Sequence, residues 1–346
     1  IQVRDGVGMR TLTDGSGGTI VARENLAIDA GRDLTNRGEL VAGNDANLTA
    51  GRDLNLIAAS DTSVKHETRD GGEKSTITTD VKNLAASVTA GGNLNMQAGQ
   101  DVNIIGSNAT AGKDLNIAAG RDLNVASVSD MHNVEGKEKD GKKRIKTSDD
   151  QTTQVASVLT AGGDFVSQAG RDTTIVASRI SAGNEAYLYS GDKLNLLAAQ
   201  NSTYSLYDMK EKGGWGAKKT KRDEVTHVTN VGTEIKTGGD LSLVSGGDQL
   251  YQRAKLESGK DLAITSGGAV TFEAVKDLHQ ESHEKSRMEG KDKSVNCTFS
   301  RSMATITPRT RMTVAERSIS PTPANCSGSL ASLVARLIRS PVWERS

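Results

Sequence analysis

Two histidines near residue 280 have the residue types of a metal site. His279 and His283 are four positions apart, with Glu281 between them. A zinc protease of the His-Glu-x-x-His type needs the glutamate directly after the first histidine. Here the glutamate comes one position late and no third ligand follows nearby. We expect the two imidazoles to share a face only if the segment is helical. The pattern therefore predicts a structural or solvent-exposed role, and no metal ligand is assigned.

A tryptophan followed by a basic run is the second group of residues with chemical potential. An aromatic side chain among cations is typical of nucleic-acid or partner surfaces. Acidic residues follow the run at once, and the chain carries 43 Lys plus Arg against 43 Asp plus Glu, so nucleic acid is not an expected partner. Contact with a receptor on another surface stays open as its role. The residues of this candidate contact are Trp215, Lys218, Lys219, Lys221 and Arg222.

The motifs of common enzymes do not occur in the sequence. There is no Gly-x-Ser-x-Gly turn and no glycine-rich loop that ends in Gly-Lys-Ser or Gly-Lys-Thr. Both cysteines, Cys297 and Cys326, lie after the repeats described below. Aspartates recur at equivalent positions, which indicates a structural role, because a catalytic residue would break a repeat. The sequence thus predicts no enzyme activity, no catalytic residue and no cofactor.

Glycines at a fixed spacing define the framework that must position these groups. Within each block of four they are separated by 8, 13 and 8 residues, so the unit is about 21 residues long. A period of this length predicts a solenoid. A calcium-binding roll would need a period of nine and a further glycine, which this pattern lacks. The predicted structural corner glycines are Gly91, Gly99, Gly112, Gly120, Gly162, Gly170, Gly183, Gly191, Gly238, Gly246, Gly259 and Gly267.

Apolar and polar residues alternate between these glycines, as in Leu123, Asn124 and Val125. A period of two predicts short strands with one buried face. Each strand ends in a small-Gly-x-Asp corner, where glycine tolerates positive φ and the aspartate can accept hydrogen bonds from backbone amides. Strands that pair with their equivalents about 21 residues on form parallel sheets, and the crossover rule favours a right-handed coil. We predict an all-β, right-handed parallel β-helix over residues 1–273, with outward asparagines in ladders.

Insertions interrupt the repeat after each block of glycines. They cover about 58–89, 127–160 and 199–236, and a truncated fourth covers 274–295 and lacks its second arm. Each consists of Thr-, Ser- and Val-rich arms around a charged tip that contains glycine. High strand propensity on both sides of such a tip predicts a projecting β-hairpin. The tips are either solvated loops or a contact surface for a receptor, since repeat arrays often bind through their insertions.

The composition changes near residue 295. All four prolines and both cysteines lie in residues 296–346, and glycine nearly vanishes there. We interpret this segment as an unrelated tail. One hypothesis is a reading frame lost near residue 290; the other is a linker with a short amphipathic helix at 330–338. No apolar run reaches the roughly 18 residues of a membrane helix, and no secretion signal opens the chain.

The repeated phrase Ala-Gly-Arg-Asp-Leu-Asn, at residues 50–55 and 119–124, resembles the haemagglutinin repeats of the filamentous haemagglutinin family of bacterial exoproteins. The family includes the large toxin carriers of contact-dependent growth inhibition. The stretch 272–286 resembles the later repeats of such carriers and strengthens the assignment. The resemblance covers about residues 20–290.

The resemblance implies export by two-partner secretion through an outer-membrane transporter and display on the surface of a Gram-negative bacterium. It implies either adhesion to host cells or neighbouring bacteria, or presentation of a C-terminal toxin to a target bacterium. Neither a secretion domain nor a toxin domain is recognised in the sequence, so the segment alone is expected neither to be exported nor to kill. Two other hypotheses stay open: a receptor-binding module that uses the insertion tips, and a polysaccharide-active enzyme on the same fold.

Overall fold

Short parallel strands wind around one axis and form three walls. The structure is a computed structural model that describes residues 2–5, 8–13, 17–288 and 295–307, with side chains for 17–288. Each wall is a sheet of eight strands, so three successive strands make one coil and the stack has eight coils. All neighbours within a wall are parallel. The predicted all-β parallel β-helix is confirmed.

The three walls take their strands from the coils in a fixed rotation. The first wall contains Thr19–Ala22, Glu39–Ala42, Ser87–Ala90, Asn108–Ala111, Val158–Ala161, Arg179–Ala182, Glu234–Thr237 and Lys255–Glu257. The second wall contains Leu26–Ala30, Ala46–Ala50, Leu94–Ala98, Leu115–Ala119, Phe165–Ala169, Ala186–Ser190, Leu241–Ser245 and Leu262–Ser266. The third wall contains Leu34–Asn36, Leu54–Ile57, Val102–Ile105, Leu123–Ala126, Thr173–Val176, Leu194–Leu197, Gln249–Gln252 and Val270–Glu273.

The core is a thin column of aliphatic side chains stacked on their own equivalents. Leu94 lies opposite Leu115 and Met96 opposite Ile117, and all four are buried. The alternate residues face outward because successive side chains of a strand point to opposite sides. On that outer surface Asn95 donates to Asn47 over 2.8 Å and Asn116 donates to Asn95 over 3.0 Å; the predicted asparagine ladder is present.

The corners explain why the spacing depends on glycine. The twelve predicted glycines form two columns, each lying next to its equivalent in the adjoining coil. A Cβ atom added at Gly120 would lie 2.2 Å from the carbonyl oxygen of Gly99, closer than real contacts allow. None of the twelve has positive φ, so the reason expected from the sequence is wrong. Glycine is required because two backbones approach closely.

Corner carboxylates tie each coil to the next. Asp101 Oδ1 accepts a hydrogen bond from the backbone amide of Asp122, over 3.3 Å, and one from Arg121 Nε, over 2.8 Å. The hydrogen bond from Arg121 holds the pKa of the Asp101 carboxyl below its usual range, in spite of partial burial. The sequence analysis expected the aspartate to accept from a backbone amide close to it in the chain. The amide that donates instead belongs to the following coil, about one repeat unit later.

The insertions form one further sheet. They follow the second, fourth, sixth and eighth coils as antiparallel hairpins, and the hairpins pair with one another into a sheet of ten strands, called the hairpin sheet. Short 3₁₀ turns, Asp70–Gly72 and Gly214–Gly216, connect the arms of the first and third hairpins. The strands of the hairpin sheet are Gln2–Asp5, Gly8–Thr13, Ala59–Arg69, Lys74–Leu84, Val128–Asp140, Lys143–Val155, Ala199–Lys212, Lys218–Val231, Asp277–Met288 and Val295–Thr307.

The fourth hairpin differs from the expectation that it would stop after one arm. Val295–Thr307 pairs antiparallel with Asp277–Met288, with a register shift between His283 and Lys285. The second arm is rich in threonine, serine and branched residues, which favour strands. The boundary near residue 295 and the interpretation of the tail stay predictions; residues 308–346 lie outside the described residues.

The glycine columns predict that replacing glycine by alanine destabilises the fold by an amount that depends on the position in the column. We expect Gly120→Ala to lower the free energy of unfolding by about 1–3 kcal/mol, because a backbone carbonyl must move to admit the Cβ atom. Urea denaturation followed by circular dichroism measures the shift. Gly31→Ala is the matched control, since Gly31 lies at the same corner of the first coil and an added Cβ would meet nothing within 4 Å. Equal effects of the two substitutions would contradict close approach as the cause.

The corner ion pair predicts a loss of stability in acid. Because the pKa of Asp101 lies lower in the folded chain than its ordinary 3.8, the ionised carboxylate stabilises the fold above that value. This contribution disappears as pH falls through the folded pKa. We expect the difference in urea midpoint between the unsubstituted chain and Asp101→Asn to be largest near neutral pH and to shrink below about pH 4. Asp29→Asn, which removes a carboxylate at an exposed site on the second wall, is the control.

Candidate functional site: the hairpin sheet

The residues that break the repeat are concentrated in the hairpin sheet. All five histidines lie in its arms, and the tryptophan of the candidate contact lies at the turn of the third hairpin. Its strands pack extensively against one another. Among its side chains in 59–84, 128–155, 199–231 and 277–288, only Ala59, Met209 and Asn230 are buried. Both faces of the sheet are therefore open to solvent or to a partner.

The strand geometry corrects the expectation for the histidine pair. His279, Glu281 and His283 occupy alternate positions of the strand Asp277–Met288, and His227 lies directly opposite His279 on the neighbouring strand. Residues two and four apart on a strand point to the same face, so the imidazoles share a face without a helix. The expectation that only a helix would align them is wrong.

Each of these histidines is engaged by a neighbouring group. His279 Nε2 lies 2.9 Å from Glu281 Oε1, and His283 Nδ1 lies 3.0 Å from Asp223 Oδ1 on the third hairpin. The rings of His227 and His279 meet edge to face, with centroids 5.5 Å apart. Within the described part of the chain, no three His, Cys, Asp or Glu side chains are arranged to hold a metal ion. The cluster joins two adjacent hairpins.

The predicted contact residues are divided by the structure into two groups. Trp215 is at the turn of the third hairpin, with 81% of its surface exposed, and Lys218 and Lys219 follow as exposed residues. Lys221 and Arg222 lie farther from the tip and, as adjacent strand residues, point to opposite faces. The structure brings the first three together at the tip and separates the other two.

Lys221 and Arg222 are each paired with a carboxylate. A hydrogen bond to Asp223 raises the pKa of Lys221, and its Nζ atom lies 5.3 Å from the centroid of the Tyr207 ring. A hydrogen bond from Arg222 to Glu224, at 3.1 Å, raises the pKa of Arg222. These two cations are locally neutralised, so the tip carries the cationic character of the group.

An amide clasp between successive hairpins escaped the sequence analysis. Asn230 Nδ2 donates to the Lys276 carbonyl over 2.8 Å and to Asp277 Oδ1 over 3.1 Å, and the Asn230 amide N also donates to Asp277 Oδ1. Asn83 repeats all three hydrogen bonds with Ser129 and Asp130 at the first junction. At the second, Gln154 donates its side-chain amide to the Gln200 carbonyl and its backbone amide to Asn201 Oδ1. The signal was present in the sequence: the donor is the penultimate residue of each second arm. The three pairs are Asn83 with Asp130, Gln154 with Asn201 and Asn230 with Asp277.

The last clasp also connects the hairpin sheet to a coil. Arg253, directly after the third-wall strand of the seventh coil, donates to both oxygens of Asp277 at 3.0 and 3.1 Å. Burial would raise the pKa of the Asp277 carboxyl, but the hydrogen bonds from Asn230 and Arg253 outweigh it and hold the pKa below its usual range. The ionised carboxylate thus fixes the fourth hairpin against both the third hairpin and the stack.

Comparison with known proteins identifies the repeat. The sequence profile described as "Hemagglutinin repeat" matches residues 10–72, 68–141 and 139–290. The chain belongs to the hemagglutinin repeat family. No solved structure matches the chain. Within the described residues, no helix has the length and apolar character needed to cross a bilayer.

Two curated relatives of this hemagglutinin repeat chain are CdiA proteins. It is 30% identical over 243 residues to "tRNA nuclease CdiA" of Escherichia coli strain STEC_O31, an alignment that covers 63% of this chain and 7% of that protein. It is 29% identical over 302 residues to "Deoxyribonuclease CdiA" of Dickeya dadantii strain 3937, covering 79% of this chain and 8% of that protein. The chain therefore spans less than a tenth of the length of these relatives.

The clasp predicts that the side-chain amide of Asn230 contributes measurably to the attachment of the fourth hairpin. We expect Asn230→Ala to release the fourth hairpin locally, because the side chain supplies two hydrogen bonds, one of them to a carboxylate. A loss of about 1–2 kcal/mol would accelerate amide hydrogen exchange in 277–288 by about 5–30-fold. Mass spectrometry of the exchanged peptides measures the effect.

Gln151→Ala is the control, because Gln151 is an exposed residue in the middle of the same sheet. Asn83→Ala should repeat the effect at the junction between the first and second hairpins. Uniform acceleration over the whole chain, coils included, would contradict a local clasp.

Proposed function

We propose that this chain is a non-enzymatic stalk segment of a bacterial surface exoprotein that is exported by two-partner secretion. The observation that carries the proposal is the in-register stacking of eight coils, in which inward positions are filled by the repeat itself. Parallel strands are about 4.8 Å apart, so the stack is a rod roughly 35 Å long. Such a rod fixes the distance and direction between the parts of the protein at its two ends, as a stalk must.

The proposed partners and location follow from the family. An outer-membrane transporter exports the full-length protein, and the stalk then extends from the cell surface towards a host cell or a target bacterium. The printed names of the relatives describe a tRNA nuclease and a deoxyribonuclease. We assign those activities to parts of the relatives outside the segment shared with this chain. The stalk would carry and present such a toxin, or serve adhesion.

A receptor-binding module is the second candidate. The observation that favours it is the exposure of Trp215 at the tip of the third hairpin, beside Lys218 and Lys219. A stalk without a binding function would not need an exposed aromatic residue at this tip. The two candidates therefore differ in what the removal of the tip should do.

The stalk proposal predicts that whole units can be removed without loss of export. In a full-length carrier, deletion of 158–233 removes the fifth and sixth coils with the third hairpin and joins equivalent positions. We expect transport and surface display to persist, because the walls continue in register. The control deletion, 158–212, leaves the strand Lys218–Val231 without its partner arm and should reduce display. Display is measured by protease access to a C-terminal tag on intact cells.

Loss of display in the 158–233 deletion would contradict the stalk proposal. A separate deletion of 207–224 removes only the outer part of the third hairpin. Unchanged adhesion and target inhibition would leave the stalk as the sufficient function. If display persists while adhesion or inhibition is lost, the second candidate is favoured.

A further inference from the structure

Charge is unevenly distributed along the hairpin sheet. The chain as a whole is neutral. The outer ends of the second, third and fourth hairpins, residues 139–144, 210–219 and 284–288, contain ten Lys or Arg residues against three Asp or Glu. We call these three segments the basic rim. The outer end of the first hairpin, 69–74, has two cations and two anions and is not part of the rim.

The three segments of the rim lie side by side. The Lys212 amide N donates to the Lys142 carbonyl over 3.1 Å, which joins the second and third hairpins at their tips. Lys219 is directly opposite Arg287 in the pairing of the third and fourth hairpins. Positive side chains from separate hairpins are thereby gathered along one edge of the sheet.

Several rim cations are available for an external anion, although Lys210 forms an ion pair with Asp208 at 3.2 Å. Lys142, Lys212 and Lys218 are exposed, and no carboxylate within residues 17–288 forms an ion pair with them. By contrast, Lys221 and Arg222, nearer the coils, are each paired with a carboxylate of the sheet. The internal pairing of cations therefore decreases towards the outer edge.

An apolar apex protrudes from the same edge. Trp215 is 81% exposed and has a φ of 56°, a conformation that costs a residue other than glycine free energy. Met288, opposite Lys218 on the fourth hairpin, is 48% exposed. Water does not favour a large aromatic side chain held outward in a strained turn, at the same edge of the sheet as a second exposed apolar residue.

We propose that the basic rim docks onto a lipid bilayer surface rich in anionic headgroups, with Trp215 inserted at the level of the headgroups. Tryptophan favours this interface because its ring is apolar and its indole N–H is polar. Each Lys or Arg near an anionic surface contributes about 1 kcal/mol. The rim is the narrow outer edge of a single-layer sheet, so it can approach a flat surface without the coils touching that surface.

The geometry favours a membrane over a nucleic acid. A single-stranded nucleic acid needs a groove with several aromatic platforms on which successive bases stack. The rim instead has one aromatic apex, and its cations are spread along an edge. The lysines at this edge act as point charges, which suits a mobile layer of headgroups better than bidentate recognition. The proposal is independent of the stalk function.

The experiment uses the 346-residue chain and lipid vesicles of two compositions. A Trp343→Phe background leaves Trp215 as the only tryptophan. Co-sedimentation measures binding to phosphatidylcholine vesicles with and without about one third phosphatidylglycerol. We expect binding only to the anionic vesicles, a blue shift of Trp215 emission on binding, and weaker binding as salt is raised.

Matched charge reversals test the site. Lys218→Glu/Lys219→Glu should lower the affinity for anionic vesicles at least about 25-fold, at about fivefold per lost cation. Lys113→Glu/Lys260→Glu makes the same charge change at exposed corners of the walls and should have little effect. Trp215→Ala should weaken binding, whereas Tyr187→Ala, an exposed aromatic on the second wall, should not.

Several results would overturn the proposal. These are equal binding to neutral and anionic vesicles, equal losses in the rim and corner variants, or vesicle binding without a blue shift of Trp215. Tighter binding to an oligonucleotide or to an acidic protein than to anionic vesicles would show that the rim recognises another polyanion. Circular dichroism of each variant establishes that the β-helix is retained, so that a loss of binding reports on the rim.

Discussion

The close approach of one coil to the next is the constraint on which the whole structure depends. Parallel pairing at about 4.8 Å leaves no room for a side chain where two corner backbones meet. Glycine therefore occupies both corner columns, and the Cβ contact at Gly120 shows how little space exists. The same spacing lets Asn116 reach Asn95 and Arg121 reach Asp101, so that the repeat connects the coils on the outer surface as well as in the core.

The hairpin sheet obeys a different constraint. Its strands are antiparallel and solvated on both faces, so little apolar burial stabilises them. Stability must come from pairing between hairpins, and an isolated hairpin in water is marginal. The clasp of Asn230 with Asp277, fixed in turn by Arg253, anchors that pairing to the coils. The stack thus provides a rigid base for a sheet that would not be stable alone, and the sheet is free to vary its tips.

The sequence predicted the coils well because their determinants are local. Leu123, Asn124 and Val125 specify a strand and its buried face without reference to any other segment. The pairing between hairpins depends on residues almost fifty positions apart, such as Asn230 and Asp277, and no local pattern selects one arm as the neighbour of another. The histidine face was misjudged because helical spacing was applied to a strand. The candidate contact was predicted as one group, but strand alternation places Lys221 and Arg222 on opposite faces.

The core itself departs from its aliphatic repeat in the fifth and sixth coils, and again at Gln249 and Tyr251 in the seventh. Phe165 stands opposite Leu115, and the smaller Ser167 and Thr173 stand opposite Ile117 and Leu123. The hydroxyls of Ser167, Thr173 and Ser190 are buried and find no hydrogen-bond partner within the described residues. A buried polar group left unsatisfied costs about 1–3 kcal/mol. In a repeat array the free energy of each unit adds to that of its neighbours, so the adjoining apolar coils can hold these coils closed. The fifth and sixth coils therefore carry a cost that fully apolar coils do not, and the second and third hairpins, which flank these two coils in the chain, pair with each other outside the stack.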